Sequence, residues 1–208
     1  MQLDLRGRRA ALVVVDIQGD VVPGQEGPLV VVGAADAVPR AVDVLAAARR
    51  WSLPVIHFKE VHRKEMVDFG RELDGVEPVH CLETWPSTDY HPSTYPIDGE
   101  FPMHKRRYSC FVGTDLDILL RGLRVDTLLL VGAMTNVCVH YTFADAHQRD
   151  FVVHVVEDAV YGSSLAAHDA ALDQMEYLQH GARITSAQLC DHLDRIGDEL
   201  LVPALVGR

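Results

Sequence analysis

The chain has 208 residues, a length that suits one domain, and 48% of them are hydrophobic, which is enough for one core. A formal net charge of −11 opposes a nucleic-acid partner, because phosphate binding needs clustered Lys and Arg, so we expect a small-molecule partner. The sequence shows neither a secretory leader nor a membrane span, and its four cysteines lack CxxC spacing, so we expect a protein of the reducing cytoplasm without a membrane partner.

Unbroken apolar runs recur along the chain and predict strands over Ala10 to Val15, Val55 to Phe58, Leu128 to Val131 and Val152 to Val156. Such runs are typical of strands that are buried on both faces, as in a parallel sheet. Helix-period apolar positions lie between and after the runs: Val38, Val42 and Leu45; Leu116, Leu119, Leu120 and Leu123; Leu172, Met175 and Leu178. The alternation predicts one three-layer α/β/α domain over residues 1–208, with a mainly parallel, Rossmann-like open sheet.

One segment, from about residue 62 to 103, has no clear periodicity and contains five prolines. We expect it to form a long loop, and ordered loops of this length in compact domains are usually functional. Ligands of open parallel sheets bind beyond the carboxyl ends of the strands. The ends of the predicted strands are therefore the places to look for a site.

Three polar side chains stand at such places. Asp16 ends the run "VVVD", Lys105 follows a short hydrophobic stretch in "FPMHKRRYSCF", and Cys138 begins a predicted helix after the strand "LLLV". Each has an ordinary alternative: a helix cap for Asp16, a solvated position for Lys105 and a small apolar filler for Cys138. Together they suit nucleophilic catalysis, because a helix N-terminus and a cation lower a thiol pKa and a carboxylate can transfer the proton.

The order of the motifs around these residues is similar to that in a known family. "DIQGD" begins at Asp16, "KRRYSCFVGTDLD" begins at Lys105, and "GAMTNVC" ends at Cys138. In this order they resemble the isochorismatase-like cysteine hydrolases, which include nicotinamidase, N-carbamoylsarcosine amidohydrolase, biuret hydrolase and ureidoacrylate amidohydrolase. The resemblance runs from about Ala10 to Ser186.

The resemblance implies a catalytic triad of Asp16, Lys105 and Cys138. It also implies a cis peptide bond between Ala133 and Met134, which would aim the Met134 N–H, with that of Cys138, at an oxyanion. A nucleophilic cysteine implies that the enzyme cleaves a C–N bond of an amide, carbamoyl or ureido substrate through a covalent acyl-enzyme. The alternative outside catalysis is a binding module that kept the fold. Family members usually assemble, so we expect a homo-oligomer, most simply a dimer.

Substrate specificity is expected from Pro23 to Val30, from the 62–103 loop and from single residues near the motifs. These residues are Gln18, Arg107, Tyr108, Thr135, His140 and Tyr161. The ureidoacrylate-type motif implies that Arg107, with Tyr108, holds a substrate carboxylate by a bidentate pair. The alternative is that both residues are structural.

The resemblance also raises the question of a metal. Nicotinamidases bind one through a D-x-H motif and the histidine of a P-x-H-C motif, where this chain has Glu60-Val61-His62 and Pro78-Val79-His80-Cys81. We expect no cofactor, because the extra methylene of Glu60 would displace its carboxylate by about 1.5 Å, and metal sites tolerate only a few tenths of an ångström. The alternative is zinc, iron or manganese held by Glu60, His62 and His80 in a nicotinamidase-like hydrolase.

Overall fold

The computed structural model describes residues 3–19 and 28–201. Within these ranges six strands form one sheet: Ala10–Val15 (β1), Val55–Glu60 (β2), Phe101–Lys105 (β3), Thr127–Ala133 (β4), Val152–Tyr161 (β5) and Arg183–Ile184 (β6). Their spatial order is β3-β2-β1-β4-β5-β6, and every neighbouring pair is parallel. The four strands that the sequence predicts are present, and β3 and β6 were not predicted.

Helices cover both faces of the sheet. They are Ala34–Arg50 (α1), Leu116–Gly122 (α2), His140–His147 (α3), Leu165–Leu178 (α4) and Ser186–Ile196 (α5). α1 and α5 supply the core on one face, and α2, α3 and α4 supply it on the other. The prediction of a single three-layer domain is confirmed, although Leu178, which was assigned to a buried face, is 44% exposed.

No helix among the described residues is both long enough and apolar enough to cross a membrane.

The long segment after β2 is irregular up to residue 100, and β3 begins at Phe101. Three short 3₁₀ helices lie in it, Glu72–Asp74, Pro86–Thr88 and Pro92–Thr94, and two of them begin at a proline. An isolated bridge between Gln18 and Tyr90 ties the segment to the body, and a second bridge, between His62 and Leu82, lies within the segment. The segment expected to be loop to residue 103 therefore ends earlier, because its last residues pair with β2.

Gly132 of β4 pairs with Val15 of β1, and only glycine fits there. Its φ is +113°, and a Cβ at this position would lie 1.9 Å from the carbonyl oxygen of Val15. The pairing of β4 with β5 also shifts register between Leu130 and Gly132. The chain can therefore bend sharply as it leaves β4, just before the segment that carries Cys138.

Replacing Gly132 by alanine is expected to lower the free energy of unfolding by roughly 3 kcal/mol or more, because the new methyl group adds strain at positive φ and a clash with backbone. Gly7→Ala is the matched control, since Gly7 has a φ of +69° but no atom within 4 Å of an added Cβ. Urea unfolding of both variants measures the difference. Equal losses would mean that the contact with Val15 has no cost.

Candidate active site

Four charged or nucleophilic side chains meet at the carboxyl edge of the sheet. Asp16 directly follows β1, Glu60 ends β2, Lys105 ends β3, and Cys138 follows β4. β1 and β4 are the neighbours at which the strand order reverses, and ligands of open parallel sheets bind at that point. The topology therefore brings together residues that are up to 122 positions apart in the sequence.

Lys105 is at the centre of this group. Its Nζ lies 2.8 Å from Asp16 Oδ2 and 3.3 Å from Cys138 Sγ, and it forms an ion pair with Glu60 Oε2. The Lys105 side chain is fully buried, and a buried ammonium group is stable only when it is paired. The structure thus places the three residues of the expected triad in contact. It adds Glu60, whose pairing with Lys105 the sequence did not predict.

The buried charges shift one another's pKa values. Burial raises the pKa of Asp16 to about 6, although Lys105 acts in the opposite direction. Burial alone would raise the pKa of Glu60, but Lys105, His62 and His80 lower it well below its usual value. Asp16 is therefore the stronger base of the two carboxylates, and at pH 7 it is still ionised.

The Cys138 thiol has a raised pKa. Burial is the main cause of the increase, and the nearby carboxylates of Asp16 and Glu60 add to it. Lys105 lowers the pKa of the thiol, but its effect is smaller than these together. The sequence argument that a cation would lower the thiol pKa is therefore right for Lys105 alone but wrong for the whole site. A protonated thiol needs a base at the moment of attack.

Cys138 lies in the first turn of a helical segment. The turn Thr135–Val139 is a π-helix that continues into α3, and the Val137 and Val139 N–H groups donate to the Met134 carbonyl. The Ala133–Met134 peptide bond that leads into the turn is cis. The thiol is thus near the positive end of the helix dipole, as the sequence predicts.

Gln18 fixes the end of β2 and the loop beyond it. Its Nε2 donates to the carbonyl oxygens of Glu60 at 3.0 Å and Thr88 at 2.6 Å, and its Oε1 accepts the Glu60 N–H at 2.8 Å. These bonds occupy the amide of a fully buried side chain. Gln18 was expected at the substrate pocket, whose wall it lines, and its amide also holds Glu60 in place.

A pocket contains Cys138 in its wall, with about 350 Å³ of empty space that includes space open to solvent. Its lining among the described residues is Asp16, Gln18, Leu29, Glu60, Glu77, His80, Cys81, Tyr108, Ala133, Met134, Val137 and Cys138. Tyr108 was expected here and stacks on Tyr141, with ring centroids 5.6 Å apart. Leu29 lies in the predicted specificity segment Pro23 to Val30, of which residues 23–27 lie outside the described residues.

Arg107, which was expected to hold a substrate carboxylate, does not belong to the described lining of this pocket. Its Nη1 donates to the backbone carbonyl of Asp68 at 2.6 Å. Its guanidinium also lies against Gly70, where an added Cβ would be 2.8 Å from Nη2. Arg107 therefore holds the loop, and the geometry supports the structural alternative.

Three other residues expected near the substrate also lie outside the described lining. Thr135 Oγ1 hydrogen-bonds the ring Nδ1 of His168 at 2.9 Å. His140 lies beside Tyr141, with ring centroids 6.0 Å apart, and Tyr161 is buried in the core under α1 and α5.

A second cluster of ionisable groups adjoins the first through Glu60. The Nε2 atoms of His62 and His80 lie 3.1 and 3.2 Å from Glu60 Oε1, and His62 Nε2 is 3.2 Å from Glu72 Oε2. One donor atom from each of the four buried residues lies within 4.8 Å of all the others. Sequence reasoning missed Glu72, which sits in an aperiodic loop with no motif to mark it.

The cluster fits a divalent cation. Two imidazole nitrogens and two carboxylates form a donor set used for zinc, iron and manganese. The carbonyl of Pro78, 2.7 Å from His80 Nδ1, orients that ring so that Nε2 faces the cluster. The Glu72 carboxylate is buried and has no aligned hydrogen bond among the described residues. Glu60 Oε1 lies within 3.2 Å of both histidine Nε2 atoms despite the extra methylene, so the cluster is compatible with a metal and the expectation of no cofactor stays a prediction.

A proton on His62 would also compensate the negative charge of the Glu60 and Glu72 carboxylates. Burial opposes the charged imidazole, but the hydrogen bond with Glu60 and the nearby Glu72 carboxylate raise the pKa of His62 to about 9. A protonated His62 cannot be a metal ligand through the same nitrogen. The negative charge of the cluster can therefore be compensated in two ways, by a proton on His62 or by a divalent ion.

The isochorismatase domain model matches residues 10–188. The chain belongs to the isochorismatase family. It is 35% identical to a nicotinamidase/pyrazinamidase of Mycobacterium tuberculosis, over 79% of this chain and 93% of the relative. It is 30% identical to a ureidoacrylate amidohydrolase of Methylobacterium radiotolerans, over 79% of this chain and 72% of the relative. The resemblance drawn from the motifs is thus confirmed.

Among solved structures, this isochorismatase-family chain is similar to the pyrazinamidase of Pyrococcus horikoshii in complex with zinc. The TM-score is 0.75 at 28% identity, over 85% of this chain and 99% of the other. It is also similar to a cysteine hydrolase from Pseudomonas syringae, with a TM-score of 0.82 at 26% identity, over 94% and 96% of the two chains. These matches cover nearly the whole of each neighbour.

Proposed function

We propose that this isochorismatase-family protein is an amidohydrolase that cleaves a C–N bond in a small amide, carbamoyl or ureido compound through an acyl-enzyme on Cys138. One observation carries the proposal: Lys105 Nζ contacts both the Asp16 carboxylate and the Cys138 thiol at a small pocket. A nucleophile, a base and a charge that orients the base are the parts that acyl transfer needs. Relatives named as amidohydrolases support the reaction class.

In the first half-reaction Cys138 Sγ attacks the substrate carbonyl while Asp16 accepts the thiol proton. Asp16 suits this role because its pKa of about 6 leaves it ionised yet basic at neutral pH, whereas Glu60 is a weaker base. The N–H groups of Met134 and Cys138 would stabilise the oxyanion. The C–N bond then breaks, and Asp16 gives its proton to the leaving nitrogen, which leaves as ammonia or an amine.

The second half-reaction restores the enzyme. Water attacks the thioester carbonyl, Asp16 accepts one water proton, and the C–S bond breaks as the acid product forms. The proton on Asp16 returns to Sγ, so no proton is gained or lost by the enzyme over the cycle. Lys105 stays charged throughout, because Asp16, Cys138 and Glu60 raise its pKa although burial opposes it.

Ammonia release from a panel of small amides and ureido compounds tests the proposal, with Cys138→Ser protein as the background. We expect at least one amide to be hydrolysed by the natural chain and none by the variant. A binding module that kept the fold would bind without turnover of any compound. The intact contact between Asp16, Lys105 and Cys138 favours the enzyme over that module.

A metal-containing, nicotinamidase-like hydrolase is the second candidate, and the donor cluster of Glu60, His62, Glu72 and His80 favours it. These four residues would hold the ion. A bound divalent cation would supply Lewis-acid polarisation of a substrate atom. Glu60 would link the two sites, since its other carboxylate oxygen pairs with Lys105.

If the cluster is a metal site, about one equivalent of zinc, iron or manganese should copurify, and His62→Ala should remove it. His154→Ala is the matched control: His154 is also buried, but it bonds the Gly181 carbonyl far along the chain from the cluster and should leave the metal content unchanged. Elemental analysis of the three proteins gives the answer. Metal-free protein with activity that survives chelation would support the cofactor-free enzyme instead.

A further inference from the structure

Glu77 stands apart from the other acidic groups at the pocket. It lines the same pocket as Cys138 and is half-buried, yet it makes no hydrogen bond or ion pair with any other described residue. Neither the proton transfer chain nor the donor cluster uses it. Burial raises the pKa of Glu77, although the charges of His80 and Lys105 act in the opposite direction.

The cations near the pocket are already engaged. Lys105 is paired with Asp16 and Glu60, and Arg107 is bonded to the loop at Asp68. The described lining itself contains no Lys or Arg, and both ring nitrogens of His80 have partners in Pro78 and Glu60. A substrate carboxylate would therefore meet Glu77 with no available cation to bind it.

The rest of the lining is largely apolar. Leu29, Tyr108, Met134 and Val137 surround the space between the acidic groups. An apolar wall reduces the solvent screening of any charge placed in the pocket, so the sign of that charge matters more than it would at the surface. Repulsion of an anion and attraction of a cation by Glu77 are both strengthened.

We propose that Glu77 determines substrate charge, so that the enzyme accepts small amides carrying a cationic group and discriminates against amides carrying a carboxylate. This inference rests on the proposed amidohydrolase function, because it names the substrate class of the same pocket. It reverses the expectation from the Arg107 motif, which pointed to acidic substrates. Glu77 would act on substrate binding and take no part in proton transfer.

Three amides of equal length test the charge directly: β-alaninamide with an ammonium group, butyramide with a methyl group and succinamate with a carboxylate. For the natural chain, kcat/KM should fall in that order. Glu77→Gln should lower kcat/KM for β-alaninamide by roughly 10- to 100-fold, the range of one charged hydrogen bond, and change butyramide much less. Glu77→Lys should reverse the order. The control is Glu65→Gln, which alters an exposed glutamate outside the described pocket lining.

Binding to Cys138→Ser protein, measured by calorimetry with the same amides, separates this inference from the proposed function. If binding follows the charge order but nothing is hydrolysed by the natural chain, the proposed function is wrong and the charge selection stands. If succinamate is the best substrate or ligand, or Glu77→Gln affects all three amides equally, the charge selection is overturned while hydrolysis stands. Absence of both binding and turnover for all three amides overturns both.

Since Glu77→Gln is nearly isosteric, it keeps the test valid should Glu77→Lys fail to fold.

Discussion

Cys138→Ala protein is expected to lose amide hydrolysis by roughly 10⁴-fold or more while keeping its fold. Loss of a nucleophile that works as a unit with its base removes nearly all of the chemical acceleration, leaving only substrate binding and oxyanion stabilisation. The fold should survive, because Cys138 packs at the edge of the core cluster beside the pocket and contributes only a small side chain. Ammonia release and thermal unfolding, measured on the same preparations, give both quantities.

Cys110→Ala is the matched control for this prediction. Cys110 is fully buried in the same cluster as Cys138 but does not line the described pocket, so the same truncation there should change stability more than kcat. Intact-mass measurement during turnover should also show an acyl adduct on the natural chain that is missing from Cys138→Ala. Turnover in Cys138→Ala within tenfold of the natural chain would contradict covalent catalysis at this residue.

Part of this arrangement was predictable from the sequence. Strands β1, β2, β4 and β5 are apolar because both of their faces are covered, so their ends, and with them Asp16 and Cys138, could be located from the chain alone. β3 was missed because "FPMHK" contains a proline and is buried only in part, which is the pattern of an edge strand. β6 was missed because it has only two residues.

The contacts that depend on the long loop were not predictable. Glu72 and Glu77 lie in a segment with no periodicity, so nothing in their local sequence shows that one faces His62 and the other the pocket. The motif predicted that Arg107 binds substrate, but the hydrogen bond to the Asp68 carbonyl fixes the orientation of its guanidinium group toward the loop. The net direction of the Cys138 pKa also needed the structure, because it is a sum over burial and three neighbouring charges.

Asp16→Asn is expected to lower kcat by at least 10²-fold, the usual contribution of a general base. An amide side chain cannot accept the thiol proton, and the raised pKa of Cys138 makes that transfer necessary. The control is Asp158→Asn, the same chemical change at a carboxylate that bonds the Ser186 N–H and hydroxyl at the start of α5. It should affect stability with little change in kcat.

The pH profile provides a second measure of the role of Asp16. Its folded-state pKa is raised to about 6, so the basic form is present above that pH and is lost as pH falls through it. kcat/KM of the natural chain should therefore decrease on the acidic side with an apparent pKa near 6, and the residual activity of Asp16→Asn should lack that limb. An acidic limb that persists unchanged in Asp16→Asn would assign the titration to another group.

Asp16 and Cys138 should also be strongly coupled, because they act on the same proton. The double variant Asp16→Asn, Cys138→Ala should be no less active than Cys138→Ala alone, since a base has no function once the thiol is gone. Lys105 contacts both side chains, so the coupling has a direct physical path through its Nζ. Losses that simply multiply across the two single variants would mean that Asp16 acts independently of the thiol, for example by binding substrate, and the proton transfer assigned to it would be wrong.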